Sequence, residues 1–154
     1  MFRKNFIKEF LSDKDLEDIS TAIKEIEKKT SGEIRMCIKR KRGYLEKEFT
    51  PREIALKEFF DLKMNETTDR TGVLLFIIYG ENKFEIIADE GINSEISEDK
   101  WKTMSDELIK NFSAKNYREG IRKLLSEIGE VLINVFPAKE GNINELPDEV
   151  IVKP

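Results

Sequence analysis

Carboxylate and guanidinium side chains flank the most apolar stretch of this chain, and they are the residues whose types and spacing could do chemistry. Asp69 and Arg70 directly precede a continuous apolar run, residues 72–79. Asp89 and Glu90 follow the alternating segment that comes next. If the two segments form a hairpin, the second ends beside the start of the first, so these charged side chains meet at one rim of a sheet. Carboxylates gathered at one rim repel one another unless a cation compensates them, and oxygen ligands suit Ca²⁺ or Mg²⁺.

The hairpin itself is predicted from two different apolar patterns. Residues 72–79 are rich in β-branched and aromatic types and are too few to span a membrane, which indicates a strand buried on both faces. Gly80-Glu81-Asn82 then supplies turn residues. Residues 83–89 alternate between apolar and charged side chains, which is typical of a second strand with one buried face.

Glu33 is predicted to join the rim through a parallel crossover. Residues 33–40 alternate strictly, which predicts a strand with one apolar face that lies toward a sheet edge. A capping box at residues 50–53 starts a helix that runs to about Leu62, before the apolar strand. A strand, a helix and a strand form a right-handed βαβ unit with parallel strands, so both strands begin at the same rim.

We therefore predict a metal site from these acidic side chains, with Arg70 binding phosphate or another anion. The predicted metal ligands are Asp69, Asp89, Glu33 and Glu90. Ser31 and Thr68 supply hydroxyl groups nearby. The plainer alternative is a solvated rim that contains one arginine–aspartate salt bridge.

Composition excludes several other chemistries. The chain has no histidine, which removes the commonest general base and the commonest transition-metal ligand, so any cation site must use oxygen and the expected ion is Ca²⁺ or Mg²⁺. Its glycines form neither a G-x-x-x-x-G-K nor a G-x-G-x-x-G phosphate cradle. The single cysteine, Cys37, excludes an internal disulfide framework and fits a reducing compartment, so we expect a cytoplasmic protein.

Two charged motifs have plain interpretations as well as functional ones. A net charge of −4 argues against general nucleic-acid binding, although the basic residues 39–42 could hold an anion; a solvated loop is the simpler interpretation. Asp13-Lys14-Asp15 superficially resembles an aspartyl nucleophile pair. It directly follows Ser12, a helix N-cap, where acidic residues stabilise the helix dipole, so we interpret it as capping. No segment has the length or apolarity of a membrane span or a signal peptide.

The order of predicted elements specifies the fold class. Helices are predicted from Ser12, from Ser97 and from about Tyr117, in addition to the helix inside the βαβ unit. We predict an α/β fold, namely a three-layer α/β/α sandwich with a small mixed sheet and helices on both faces. Residues 1–154 are interpreted as one domain, with a core at about 11–136 and a tail at 137–154 in which residues 150–152 add an edge strand.

Four short motifs, in order and spacing, resemble the TPM domain family, which includes thylakoid-lumen proteins linked to photosystem II repair and many bacterial proteins. The motifs are Thr30-Ser31-Gly32-Glu33-Ile34, Asp69-Arg70-Thr71-Gly72-Val73-Leu74-Leu75, Asp89-Glu90-Gly91-Ile92, and Phe112 with Tyr117-Arg118-Glu119-Gly120. The resemblance covers residues 11–136, and residues 144–149 are similar to the ending of short, stand-alone bacterial members.

The resemblance implies an α/β/α sandwich, an acidic divalent-cation site and, for some plant members, acid phosphatase activity. The site residues that the resemblance implies are Asp69, Arg70 and Asp89, where the family motif matches. Glu33 and Glu90 are predicted as ligands from the expected geometry alone. Many members carry a signal peptide and a membrane anchor, and this sequence has neither pattern.

Two functions follow as expectations. The first is a small divalent-cation-binding accessory or interaction module with a protein partner. The alternative is a metal-dependent, acid phosphatase-like hydrolase of phosphomonoesters, in which a cation polarises a phosphoryl oxygen, Arg70 holds the phosphate and a carboxylate activates water. The first is favoured because no nucleophile or general base stands out in the sequence.

Overall fold

The computed structural model describes residues 6–139 and 150–154. Short 3₁₀ turns occur at Phe6–Glu9, Tyr44–Glu46, Met64–Glu66 and Tyr79–Glu81. The helices are α1 (Asp13–Glu27), α2 (Pro51–Asp61), α3 (Glu90–Asn93), α4 (Glu98–Ser113) and α5 (Tyr117–Val135), and the strands are β1 (Glu33–Lys39), β2 (Gly72–Ile78), β3 (Lys83–Ala88) and β4 (Ile151–Lys153).

The four strands form one mixed sheet in the order β3-β2-β1-β4. β1 and β2 are parallel and are joined through α2, so the predicted βαβ unit is confirmed. β2 and β3 are antiparallel, with Val73 opposite Ala88, which confirms the hairpin. β4 pairs in parallel with β1 and is the edge strand expected from the tail.

The predicted edge position of β1 is wrong. β1 lies between β2 and β4, and its first six residues are all buried. The alternating pattern predicts that one face of β1 is exposed. Instead, β4 covers the outer edge of β1, and α2 packs over the face that carries Cys37. Arg35, on that same face, is only 7% exposed, so a charged residue type at this position does not indicate contact with solvent.

The two faces of β2 contribute to two separate apolar cores, as its unbroken apolar run predicts. Val73, Leu75 and Ile77 pack in the core that includes side chains of α1, α4 and α5. The intervening residues Leu74, Phe76 and Ile78 pack in a second core together with Ile54, Ala55 and Phe59 of α2. Helices therefore cover both faces of the sheet, and the three-layer α/β/α prediction is confirmed.

Local sequence signals set the helix ends. Ser12 accepts a hydrogen bond from the Asp15 backbone, and the Asp15 side chain accepts one from the Ser12 backbone, which is a capping box. Thr50 caps α2 in the same way, with Pro51 at the first helical position. Asp15 therefore has the capping role that was preferred over a nucleophilic one.

Some expectations concern residues beyond the described ranges. The motif at residues 144–149 lies wholly outside them, and so does Phe2, which shares helical spacing with Phe6 and Phe10. Phe10 is described and is buried in the larger core. Within residues 6–139 and 150–154, no helix combines the length and apolar character needed to cross a membrane.

Candidate functional site

The hairpin brings Arg70 and Asp89 together at the rim where β2 begins and β3 ends. Arg70 Nε donates to Asp89 Oδ2 and Arg70 Nη2 donates to Asp89 Oδ1, both at 2.9 Å, in a bidentate ion pair. The Asp89 side chain is 7% exposed, whereas that of Arg70 is 48% exposed. The hydrogen bonds to Asp89, followed by its negative charge, raise the pKa of Arg70. This pair thus joins a nearly buried carboxylate to an accessible guanidinium.

Asp89 is positioned by backbone contacts as well as by the ion pair. Its N–H donates to the Gly72 carbonyl at 2.9 Å, which extends the β2–β3 ladder by one residue. Asp89 is also the N-cap of α3, and its Oδ1 accepts from the Glu90 N–H at 2.8 Å. The Asp89 carboxylate therefore has three hydrogen-bond donors, two from Arg70 and one from the backbone.

Gly91 allows the loop that carries Arg70 to lie directly against α3. Its N–H donates to the Arg70 carbonyl at 2.9 Å. A Cβ atom at this position would lie 2.1 Å from the Asp69 carbonyl oxygen and 2.5 Å from that of Arg70. Arg70 itself has a left-handed backbone, with φ of 56°, which is uncommon for a residue with a side chain. Only glycine fits at position 91 without moving the Arg70 loop.

The remaining predicted site residues have separate partners. Asp69 Oδ2 lies 3.5 Å from the Ser31 hydroxyl and 3.7 Å from the Lys139 ammonium. Glu90 is mostly exposed, and one of its oxygens lies 3.5 Å from Arg70 Nη1. The structure therefore places Arg70, Asp89 and Glu90 in one ion-pair group, and Asp69 beside it in the chain with different neighbours.

Glu33 lies at the same end of the sheet, as the parallel crossover predicts, but it is not on an exposed rim. It begins β1 opposite Gly72, and it is only 3% exposed. Lys139 was missed because nothing in the sequence links the tail to Asp69. Ser31 was expected nearby, and its N–H donates to the Phe136 carbonyl, which ties this turn to the end of α5.

The donor atoms at the rim fit a hard divalent cation in their chemistry. They comprise the carboxylates of Asp69, Asp89 and Glu90, and the Asp69 carbonyl oxygen also lies close by, against Gly91. Their arrangement does not form a ready-made centre, because Arg70 engages both oxygens of Asp89. Across residues 6–139 and 150–154, no three or more histidine, cysteine, aspartate or glutamate residues are grouped so as to hold a metal ion. Cation binding here requires Arg70 to leave Asp89.

The basic loop at residues 39–42 is partly neutralised by acidic neighbours. Lys39 Nζ lies 2.5 Å from Glu46 Oε1. Arg42 pairs with Glu81 through two hydrogen bonds of 2.7 and 3.1 Å and also donates to backbone carbonyls, including that of Phe49. These pairs favour the interpretation as a structured, solvated loop over an anion site.

Comparison with known proteins agrees with the motifs. The TPM domain family matches residues 7–131. The chain is similar to the NMR structure of the BA42 protein from the psychrophilic bacterium Bizionia argentinensis, with a TM-score of 0.81, 33% identity, and coverage of 94% of this chain and 97% of that one. The N-terminal domain of a P. gingivalis protein has a TM-score of 0.66 at 17% identity, covering 82% and 79% of the two chains, which shows a shared fold. No curated protein matches the chain.

The matched region contains both strands of the βαβ unit, the hairpin, and the Arg70–Asp89 pair between them. The match over residues 7–131 and the similarity to BA42 over nearly the whole of both chains identify the protein's family: the chain belongs to the TPM domain family.

Proposed function

We propose that this chain is a divalent-cation-binding accessory module whose cation site is the rim around Asp89. One observation supports this most strongly. The Asp89 side chain is only 7% exposed, yet its charge is compensated by Arg70, whose side chain is 48% exposed. A carboxylate that is largely removed from water needs a compensating charge, and here that charge belongs to a side chain with access to solvent.

The physical basis of the proposal is competition between Arg70 and a cation for the same two oxygens. When Arg70 turns toward solvent, Asp89 is left as a nearly buried anion close to the exposed carboxylate of Glu90. A divalent ion would compensate more of this negative charge than one guanidinium does. Calcium takes about 6–8 oxygen ligands, so the rim carboxylates would need carbonyl and water oxygens to complete the shell, and we expect weak, millimolar-range binding.

Thermal unfolding with and without CaCl₂, MgCl₂ and MnCl₂ tests the proposal. A cation that binds only the folded state raises the melting temperature with concentration, following mass action. Arg70→Gln removes the competitor, so this variant should be less stable without cation and should show a larger cation-dependent shift than the original chain. Asp89→Asn removes the central charge and should abolish the shift.

Arg118 provides a matched control for the arginine substitution. Its guanidinium lies 3.5 Å from Asp15 and from Asp18, and its side chain is 37% exposed, so it is a similarly accessible arginine that pairs with two carboxylates on another surface. Arg118→Gln should leave the cation response unchanged. The proposal is refuted if none of the three cations moves the melting curve of either the original chain or Arg70→Gln, and if calorimetric titration gives no heat.

A metal-dependent phosphatase remains the alternative for the same rim. Arg70 contacts two carboxylates, Asp89 and Glu90, so a phosphate would have to displace both before reaching the guanidinium. Two clefts of about 360 and 390 Å³ in the described chain are lined by residues other than Arg70, Asp89 and Glu90. Phosphomonoester turnover that survives purification and is lost in Asp89→Asn would favour the hydrolase. For the accessory role, we assign a protein partner and, from the lone cysteine, a cytoplasmic location.

A further inference from the structure

An aromatic pocket lies at the end of the sheet opposite the Arg70–Asp89 rim. It forms where β2 ends and β3 begins, and it is completed by the end of α4, the start of α5 and Phe10. Its volume is about 360 Å³, within the range of about 300–1,000 Å³ that small-molecule sites occupy. The lining residues include Tyr79, Phe84, Phe112, Tyr117, Lys83 and Lys115.

The rings of this pocket pack against one another but leave surface toward the cavity. Phe10 lies 4.5 Å from Tyr117 and 5.0 Å from Tyr79, measured between ring centroids. Phe112 meets both Phe84 and Tyr117 edge-on, at 5.9 and 5.4 Å. Phe10 is buried, whereas the other four rings are only partly buried, so their faces and edges can take up a further ring in offset or edge-on packing.

Two lysines give the mouth of the pocket a positive charge. Lys83 and Lys115 are both exposed and both line the cavity. Their ammonium groups appear in no ion pair within 4.0 Å among the described residues, in contrast to Lys39, Lys57, Lys102 and Lys123. Ser113 adds a hydroxyl group to the lining. Burial, and then the negative charge of Glu9, raise the pKa of the Tyr79 phenol.

Lys115 has a backbone conformation that is unusual for lysine. Lys115 follows Ala114, the C-cap of α4, and has the left-handed conformation, with φ of 62°, at a position where glycine is the favoured residue. Asn82, which also lines the pocket, is left-handed too, with φ of 53°. Lysine is conformationally unfavourable at such a position, and here it places a cation beside an aromatic cavity.

We propose that this pocket binds a small aromatic carboxylate, with its ring among the aromatic side chains and its carboxylate between Lys83 and Lys115. Ring packing accounts for the aromatic part, because four partly buried rings surround the space. Charge complementarity accounts for the anionic part, because the mouth carries two ammonium groups. This inference does not rest on the proposed cation site, which lies at the other end of β2.

Titration of the full chain with 1-naphthoate, followed by two-dimensional NMR and calorimetry, tests the proposal. Shift changes should centre on Phe84, Phe112 and Tyr117. Octanoate, an anion without a ring, and 1-naphthalenemethanol, a ring without a charge, should each bind at least fivefold more weakly than naphthoate.

Lys115→Gly separates the ligand role from a structural one. Glycine suits the left-handed backbone, so the variant should unfold at the same temperature or higher, while its affinity for naphthoate falls at least fivefold. Lys83→Gln should weaken naphthoate similarly without affecting the neutral alcohol. Lys63→Gly is the matched control, because Lys63 is also left-handed, with φ of 61°, but does not line the pocket. Naphthoate affinity should be unchanged in that variant.

Four results would overturn the proposal. The first is no saturable binding of naphthoate, and the second is binding whose NMR changes lie away from the pocket. The third is an affinity for naphthoate that Lys115→Gly and Lys83→Gln leave within twofold of the original. Equal affinity for octanoate would also overturn it, because the pocket would then select charge and apolarity rather than a ring.

Discussion

Replacing Gly91 with alanine tests whether the rim depends on the close approach of two backbone segments. The added Cβ would lie 2.1 Å from the Asp69 carbonyl oxygen, 2.5 Å from the Arg70 carbonyl oxygen and 3.0 Å from the Arg70 carbonyl carbon. All three atoms belong to the backbone, so a change of rotamer cannot relieve the contact. The loop must move by about 1 Å to restore van der Waals separation.

The cost of this substitution combines three contributions. Overpacking of a tight contact typically costs about 1–3 kcal/mol. The hydrogen bond from the Gly91 N–H to the Arg70 carbonyl, 2.9 Å long, is weakened by the same movement, at about 0.5–1.5 kcal/mol. Alanine returns about 0.5–1 kcal/mol, because glycine is the less favourable residue in a helix. We expect Gly91→Ala to lower the free energy of unfolding by about 0.5–4 kcal/mol in total.

Urea unfolding followed by circular dichroism measures this change, with Gly129→Ala as the control. Position 129 lies in the middle of α5, and its new Cβ would lie 2.8, 3.0 and 3.1 Å from Cδ1, Cγ1 and Cγ2 of Ile26, which are atoms of one partly buried side chain and not of the backbone. Alanine gains about 0.5–1 kcal/mol inside a helix, which offsets part of the cost of moving Ile26, so Gly129→Ala should lower the free energy of unfolding by less than Gly91→Ala. Equal stability of the two variants would refute the close-approach argument.

Two further predictions concern the sheet. Leu75 is 1% exposed in the larger core, so Leu75→Ala should lower the free energy of urea unfolding by about 2–5 kcal/mol, and a loss below about 1 kcal/mol would contradict the layered packing. Burial, and then the negative charge of Glu58, raise the pKa of the Cys37 thiol from 9.0 to about 12. The contribution of the protonated thiol to the free energy of unfolding is therefore fully present below pH 9 and is lost as the pH approaches 12. Cys37 is fully buried as well, so iodoacetamide at pH 8 should label it far more slowly in the native protein than in the urea-unfolded chain, and equal rates would show that Cys37 is accessible.

The pairing of β2 with β3 could be predicted because each of the two sequence patterns there is compatible with only one local structure. An uninterrupted apolar run of strand length must be covered on both faces, and β2 is buried throughout. A turn followed by an alternating segment produces the hairpin. That hairpin alone brings Arg70 to Asp89, although the two residues are 19 positions apart. Strand pairing, rather than any local motif, made the contact between Arg70 and Asp89 predictable.

The environment of β1 could not be predicted, since it depends on chain segments far away in sequence. β4 lies more than a hundred residues after β1, and it pairs with Cys37, Ile38 and Lys39. Lys153 of β4 then contacts the buried carboxylate of Glu58 at 2.5 Å, which ties the tail to α2. The alternating pattern of β1 therefore shows which side chains are polar, but it does not show which side chains are exposed. Local patterns specify which way a side chain points, whereas burial depends on what later packs over it.

The aromatic pocket escaped sequence reasoning for a related reason. Its rings come from five separate parts of the chain, and each ring fits an apolar stripe that is also expected of an ordinary core. One local signal was visible. Lys115 follows the apolar stripe of α4 at the helix end, where glycine or asparagine would be expected. A lysine in place of a stop residue is a departure from local preference, and such departures concentrate at functional sites.

The two proposed sites are separated by a strand that is buried on both faces. β2 has seven residues, so the rim and the aromatic pocket lie about 20 Å apart at roughly 3.3 Å per residue. Exposed charges are screened over about 8 Å at physiological ionic strength, so Arg70 does not contribute directly to the charge felt at Lys115. The strand between them packs into two cores, one on each of its faces. Cation binding and aromatic-anion binding are therefore expected to be independent, and each proposal can fail without the other.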